Sequence, residues 1–429
     1  MAGTFSRITT LLGAVAILLV GHGLQLTLLP VYAQAAGWTN SAIGITGSFY
    51  FLGFVVGCIV NPRIVSGVGH IRAFMVMAAI ATFAVLGVAL FVSVPAWMLL
   101  RFATGFALAG LYMVIESWLS EVSPREQRGR VLAVYTLISL VGMACGQWLM
   151  GVEVGEPLQR FMIAGLLIVI AIVPVGLTRV QSPQPIPAIR FTPRLLARAS
   201  RVAIVASALA GMVTGAFWSM GPLLGRSAGL DAGEVGLLMS AGIFGGALVQ
   251  LPIGRLSDTL DRRLVIGALA TLGTLVCLAG WYLVGDSALV LYAIVFCLGA
   301  SALPLYALCI AHASDRATMT LVEITSSVLI VNGMGAVLGP TLVAPLMDAL
   351  GPRVFFGYCT ICLALAASWA FYRMLVVERV RHEGHAVILP RTTQAVAGLP
   401  EAAAGEHEPA EQAPQSNGPT VMDDTQPLQ

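Results

Sequence analysis

The sequence predicts an all-α integral membrane protein of twelve transmembrane helices in two pseudo-symmetric six-helix bundles. Three observations predict it. The 429 residues are 58% hydrophobic and only 10% charged, against about 25% charged in a soluble domain, and the mean hydropathy is +0.88. Fifty-eight per cent of 429 is about 249 apolar residues, and at about 20 residues per crossing they suffice for about twelve helices. The longest interruption of the apolar runs divides them six against six.

Taken in order, the runs cover 8–33, 42–60, 73–93, 97–120, 131–151, 161–178, 202–224, 235–254, 264–284, 288–312, 320–346 and 354–374, separated by Arg, Pro, Gly and acidic residues. The first is longer than the apolar core of a signal peptide, lacks a cleavage site and is followed at once by a second run, so it is expected to stay as a helix. The sixth and seventh are separated by 179–201, with Pro183, Pro185, Pro187, Pro193 and five Arg. The expected organisation is a first bundle over 1–178, a linker over 179–201, a second bundle over 202–378 and a tail over 379–429. Within that tail, residues 382–429 hold six Pro, repeated Ala, Glu and Gln and no long apolar run. Such a composition buries too little surface to order itself.

The formal net charge of +2 excludes a nucleic-acid partner, and the partner expected instead is the lipid bilayer. All 23 basic residues are Arg, a bias that genome composition explains without function. Nineteen of them fall on the side of the N-terminus, while only Arg101, Arg160, Arg226 and Arg353 fall on the other. Basic residues near helix ends are retained in the cytoplasm, so both termini are expected there, in a bacterial inner membrane. The seven Cys fall almost entirely inside apolar runs and no His is spaced to complete a metal site, so neither a metal nor a cofactor is expected.

The halves echo each other. Gly57 and Asn61 correspond to Gly254 and Asp258 at an offset of 197, Leu111 and Tyr112 to Leu305 and Tyr306 at 194, and Gly142-xxx-Gly146 to Gly335-xxx-Gly339 at 193. Near-constant offsets are expected of membrane proteins built from internal repeats.

The most specific local pattern is Gly254-Arg255-Leu256-Ser257-Asp258-Thr259-Leu260-Asp261-Arg262-Arg263, between the eighth and ninth runs. It resembles the signature loop of the major facilitator superfamily, Gly-x-Leu-x-Asp-x-x-Gly-Arg-Arg/Lys, with Gly254, Leu256, Asp258, Arg262 and Arg263 matching and Asp261 in place of the usual Gly. The resemblance extends over about residues 8–375 and implies a transporter. Gly254 lets helices approach closely, and Asp258 is expected to accept hydrogen bonds from a neighbouring helix start or to pair with Arg, as a gating latch. In the first half Asn61 occupies the Asp position and Gly69-His70-Ile71-Arg72 arrives about five residues late, so an acid-based latch is not expected there.

On the fourth helix Arg101, Gly105, Leu108, Tyr112 and Glu116 share one face. Arg101-xxx-Gly105 resembles the family's fourth-helix Arg motif, which implies proton movement; the residues alone equally suit an Arg snorkelling at the interface. A carboxylate within a span needs a partner, water or a proton. Glu116 lies about 22 Å along the helix from Arg101, so its partner is expected elsewhere: Arg128, Arg130, His312 or water. Tyr112 is placed to hydrogen-bond it. Further candidates for a cavity wall are His22 and Gln25 on the first helix, Tyr306 on the tenth and Asn332 on the eleventh. Catalytic motifs are lacking: no Walker loop, HExxH or GxSxG occurs, so the chain is not expected to be an enzyme.

The expected function is secondary active transport of a small organic molecule by alternating access, coupled to protons, by a monomer. An uncoupled facilitator and a non-transporting receptor or assembly protein of the same fold stay open on the sequence.

Overall fold

The computed structural model describes residues 2–124, 127–155, 157–177, 196, 200–283, 287–316 and 320–376. The expected linker, apart from 196, 200 and 201, and the expected tail lie outside the described residues. Twelve helices are long and apolar enough to cross a membrane: α1 (Ile8–Ala35), α2 (Asn40–Val68), α3 (His70–Leu90), α4 (Val94–Val122), α5 (Arg128–Gly151), α6 (Leu158–Gly176), α7 (Arg201–Ser227), α8 (Ala232–Thr259), α9 (Arg262–Leu283), α10 (Ala288–Ser314), α11 (Leu321–Leu350) and α12 (Val354–Val376). Among the described residues there is no strand.

Helix starts carry the side chains that satisfy their free N–H groups. Thr39 accepts from Ala42 at the start of α2 and Ser200 from Ala203 at the start of α7, while Asp231 with Glu234 and Thr320 with Glu323 form capping boxes on α8 and α11. Gly69, with φ +85°, turns the chain between α2 and α3. The equivalent turn between α8 and α9 has no glycine; Asp261 instead accepts the backbone N–H of Arg263 at 2.9 Å.

All twelve expected spans are present, and two differ from expectation in length. α2 runs on to Val68 and α8 to Thr259, eight and five residues beyond the apolar runs, because their polar residues are bonded inside the helix packing rather than ending the helix. Asn61, fully buried, donates from Nδ2 to the Phe106 carbonyl of α4 at 2.9 Å. Consequently Gly254 and Asp258 lie on the last turns of α8, and only Leu260 and Asp261 connect it to α9.

Each half is the same bundle. In the first, α2 packs on α4, α1 on α5 and α6, and α3 on α4 and α6; in the second, α8 packs on α10, α7 on α11 and α12, and α9 on α10 and α12. Every pair recurs six helices later, which gives the sequence offsets a spatial meaning. The Gly142-xxx-Gly146 and Gly335-xxx-Gly339 pairs are equivalent contacts: a methyl group on Gly146 would meet the Val20 carbonyl of α1, and one on Gly335 the Ala208 carbonyl of α7.

Because successive helices alternate in direction, one end of the molecule collects Arg63, Arg72, Arg128, Arg130, Arg255, Arg262, Arg263, Arg316 and Arg373 with the acids Glu121, Asp258, Asp261, Asp315 and Glu323 (the basic end), and the other, among the described residues, only Arg160, Arg226 and Arg353 with Glu153, Asp231, Glu234 and Asp348 (the far end). Between the halves, α2 lies along α11 and α5 along α8. Gly44 abuts Pro340 and Ala344, Gly151 abuts Gly233, and Gly236 abuts Gln147 and Met150; Ser48 and Thr341 share a hydrogen bond of 2.7 Å. All of these positions belong to the far-end half of their helices. Towards the basic end, no broad contact joins α4 or α5 to α10 or α11 among the described residues. The bundles are therefore closed on each other at the far end and part towards the basic end.

Candidate functional site

Gly105 sets the geometry of the first bundle's polar cluster. A methyl group there would overlap the Tyr50 carbonyl oxygen, so its absence lets α4 lie directly on α2 and brings Tyr50 over Arg101. The Arg101 guanidinium carbon stands 4.5 Å from the centre of the Tyr50 ring, a cation–π contact. Arg101 is only 7% exposed, and so is turned into the bundle rather than snorkelling. Tyr50 Oη is 3.4 Å from His22 Nε2, and His22 Nδ1 is 3.0 Å from Gln25 Nε2. His22, Gln25 and Arg101 are thus one buried chain, joined by Tyr50.

Tyr50 also marks the boundary of the bundles. With Phe51 it forms a small apolar cluster with Ala336 of α11, against which Trp218 of α7 packs. One side of the Arg101 cluster therefore belongs to the first bundle and the facing wall to the second.

Glu116 lies further towards the basic end and is 5% exposed. The Tyr135 hydroxyl of α5 donates to its Oε1 at 3.3 Å, a donor that the sequence did not suggest. Tyr112 packs its ring on Phe54 in the α2–α4 seam, with centroids 6.4 Å apart, and stands near enough to Glu116 to interact with its charge.

Of the second-bundle candidates, Asn332 is 1% exposed and donates from Nδ2 to the Ser207 carbonyl at 2.8 Å, so it ties α11 to α7 rather than lining a cavity. Tyr306 is buried where α10 breaks, between helices Ala288–Ala302 and Leu305–Ser314. Pro304 at the break lacks the N–H that would continue the helix.

The signature residues form a charged hub at the basic end. Arg262, 1% exposed, donates from Nε to Asp315 at 2.6 Å, from Nη1 to Ser257 at 2.9 Å and from Nη2 to Asp258 at 3.1 Å. Arg263 pairs with Asp261 at 2.7 Å and reaches the Arg373 carbonyl of α12 at 3.0 Å. Burial alone would raise the Asp261 carboxyl, but hydrogen bonds and charge from Arg263 hold it below its ordinary range, so this pair persists at neutral pH. Asp258 pairs with an Arg, as the sequence allowed: Arg262, four residues on, within the second bundle, and the hub fastens α8, α9, α10 and α12 to one another.

Besides the Ser48–Thr341 bond, the bundles are joined at the far end on residues the sequence did not single out. Asp348 of α11 accepts the backbone N–H groups of Asn40 and Ser41, both at 2.9 Å, and the Ser41 hydroxyl at 2.5 Å. A carboxylate at a helix N-terminus is favoured by the free N–H groups and the helix dipole. The site is solvent-exposed, so its value is about 1 kcal/mol. Asp348→Ala is expected to shift the closed-to-open ratio of the far end about fivefold towards open. Spin-label distances between the far ends of α2 and α11 read that ratio, and an unchanged distribution would show that the bond contributes nothing to closure.

Known proteins share this architecture. The profile of the Major Facilitator Superfamily matches residues 11–205 and again 203–394. An MFS-type transporter of Enterobacter sp. (strain 638) is 27% identical over 380 residues, covering 88% of this chain and 96% of its own, and one from Yersinia pestis (strain Pestoides F) is 26% identical over 373 residues, covering 83% and 91%. Among solved structures, the nucleoside transporter NupG superposes with a TM-score of 0.70 at 15% identity, covering 86% of this chain and 98% of its own. The Escherichia coli fucose:proton symporter FucP gives 0.54 at 16% identity, covering 86% and 99%. Two six-helix bundles, a signature hub at the basic end and a profile matched over both halves have one conclusion: the chain belongs to the Major Facilitator Superfamily of membrane transporters.

Proposed function

We propose that the protein is a secondary active transporter that moves a small organic molecule across a bacterial inner membrane by alternating access, driven by protons, with its basic end in the cytoplasm. The observation that carries this reading is the asymmetry of the contact between the bundles, which meet along the far-end halves of α2–α11 and α5–α8 and part towards the basic end. Two rigid bundles joined at one end have a natural counterpart joined at the other, and rocking between the two exposes the cleft to each side in turn. In the state described here the bundles part towards the basic end, and Tyr50, Phe51 and Trp218 lie where they meet. Opening the far end requires Asp348 to release the start of α2.

Proton coupling is assigned to Glu116. Its carboxyl is buried and accepts from the Tyr135 hydroxyl. A carboxyl in such surroundings keeps its charge only while donors or water attend it, and otherwise takes a proton. It lies on the basic-end side of the cleft, where a change of access alters its hydration.

Reconstitution into proteoliposomes, with a metabolite panel and with or without a pH gradient, tests the function. Gradient-dependent accumulation is expected, and uptake that only equilibrates would favour an uncoupled facilitator. Orientation is read by cysteine labelling in a background without the native Cys. Ala36→Cys is expected to react from outside intact cells and Thr259→Cys only after permeabilisation; the reverse pattern would invert the topology.

A further inference from the structure

Arg101 is incompletely satisfied where it stands. It is buried, forms no ion pair among the described residues, and its Nη1 has no hydrogen-bond partner. An Arg within a span is retained at an expense of about 2.5–3.5 kcal/mol on insertion scales, and a desolvated aromatic face offsets about 2 kcal/mol of that without supplying a hydrogen-bond acceptor for Nη1. Hence the aromatic face alone leaves the guanidinium short of a counter-charge. Other buried side-chain atoms among the described residues also lack a partner, such as Asn61 Oδ1 and Ser120 Oγ, but Arg101 combines a charge with a place at the boundary between the bundles, a site left for something else to complete.

The donors define what completes it. The Tyr50 ring covers the Arg101 guanidinium and carries a hydroxyl that can donate. Two donors, one of them a planar cation, suit a carboxylate, which takes an Arg fork in bidentate fashion. The neighbouring side chains at the bundle boundary are apolar and aromatic: Phe51, Ala336 and Trp218. A small inorganic anion would satisfy the charge but make no use of these neighbours.

We infer that Arg101 and Tyr50 bind the carboxylate of an organic monoanion with an apolar body, and that such acids are the substrate class. As a substrate class this rests on the transport function proposed above; as a binding site it does not. In the transport cycle a proton taken by Glu116 and one bound carboxylate would cross together without net charge. No bond is made or broken; one proton and one anion change sides.

The test uses the full-length protein purified in detergent, in chloride-free sulfate buffer, with its melting temperature as the readout. Probes are butyrate, benzoate and phenylacetate, each beside its primary amide, and chloride as the inorganic anion. At least one of the acids is expected to raise the melting temperature in a saturable manner while its amide does not. Arg101→Gln is expected to weaken that acid tenfold or more, the usual scale for loss of a charged hydrogen bond. Arg101→Lys, which keeps the charge but not the fork, should retain part of the affinity. Tyr50→Phe, which keeps the ring over Arg101 and removes only the O–H, should weaken binding about threefold to tenfold. Folding is controlled by the unliganded proteins: removing an uncompensated buried charge does not destabilise, so Arg101→Gln should melt at or above the wild type. The assignment is overturned if acids and amides act alike, if no acid acts, if chloride alone acts, or if Arg101→Gln retains full acid affinity. Its failure is distinguishable from failure of the transport reading. Acids that bind through Arg101 but show no flux would remove transport and leave the site, whereas flux of a neutral or cationic solute that survives Arg101→Gln would remove the site and leave transport.

Discussion

Glu116→Gln is expected to abolish accumulation driven by a pH gradient while sparing exchange of substrate for substrate. Gln has the shape and neutrality of a protonated Glu, and its amide oxygen can still accept from the Tyr135 hydroxyl, which lies 3.3 Å from the carboxylate oxygen in the wild type. The α4–α5 contact is therefore preserved, and what is lost is the capacity to carry a proton. In the wild type, the carboxyl must lose its proton where water reaches it and regain one before it is enclosed again, because an enclosed charge without donors costs several kcal/mol. In the variant that alternation no longer moves anything, so the accumulation ratio should fall to one. Exchange, which requires only rocking of the loaded protein, should stay within about threefold of the wild type, a change of less than about 1 kcal/mol in the barrier. Tyr135→Phe separates the parts further: it removes the donor, leaves the proton carrier and should shift the pH profile of accumulation without abolishing it. If Glu116→Gln still concentrates substrate, Glu116 is a structural acid and the coupling group lies elsewhere, first at His22 or Arg101.

The bundle architecture was legible because about 20 apolar residues per crossing is a strong and local signal, and the repeat offsets survived as equivalent contacts. Helix ends were less legible where polar residues are satisfied inside the packing. Hydropathy reads Asn61, Pro62 and Arg63 as an end to α2, but it does not see that the Asn61 amide meets the Phe106 carbonyl. The same blindness affects sites. His22, Gln25 and Arg101 stood out because polar side chains are rare within spans, whereas Tyr50, which joins them, looks in sequence like one more aromatic packing residue after Phe49. Asn332 carried the same signal as His22 yet serves as a tie between helices, and only the position of Ser207 distinguishes the two roles. Asp315 and Asp348 sit at helix ends, where acids are ordinary; their importance comes from partners 53 and 307 residues away in sequence, a relation no local pattern contains.

Arg262 is expected to be the most stability-critical side chain of the second bundle, ahead of the signature acid itself. It is 1% exposed and holds two carboxylates and a hydroxyl at 2.6–3.1 Å. Arg262→Met keeps the volume and the apolar stem but removes the cation that Asp258 and Asp315 share, and breaking a buried pair by removing one partner costs about 3–5 kcal/mol. Asp258 and Asp315 keep 28% and 14% exposure, so water replaces part of the lost bond and the lower value, about 3 kcal/mol, applies. That corresponds to a fall in melting temperature of about 6–12 °C for a half of this size. Asp258→Asn is a contrasting case. Its amide oxygen can still accept from Arg262, the 2.6 Å bond to Asp315 remains, and a part-exposed pair is worth about 1 kcal/mol or less. The Asp258→Asn protein should melt within about 3 °C of the wild type. Its transport should nevertheless be clearly reduced with substrate affinity little altered, because the hub at the end of α8 must pass intact between the two states while the cleft near Tyr50 is remote from it. Melting curves of the two variants, with initial rates over a range of substrate concentrations for Asp258→Asn, separate the roles. Equal melting of Arg262→Met and wild type would show that the hub is not a fastening, and wild-type flux in Asp258→Asn would show that its charge plays no part in the cycle.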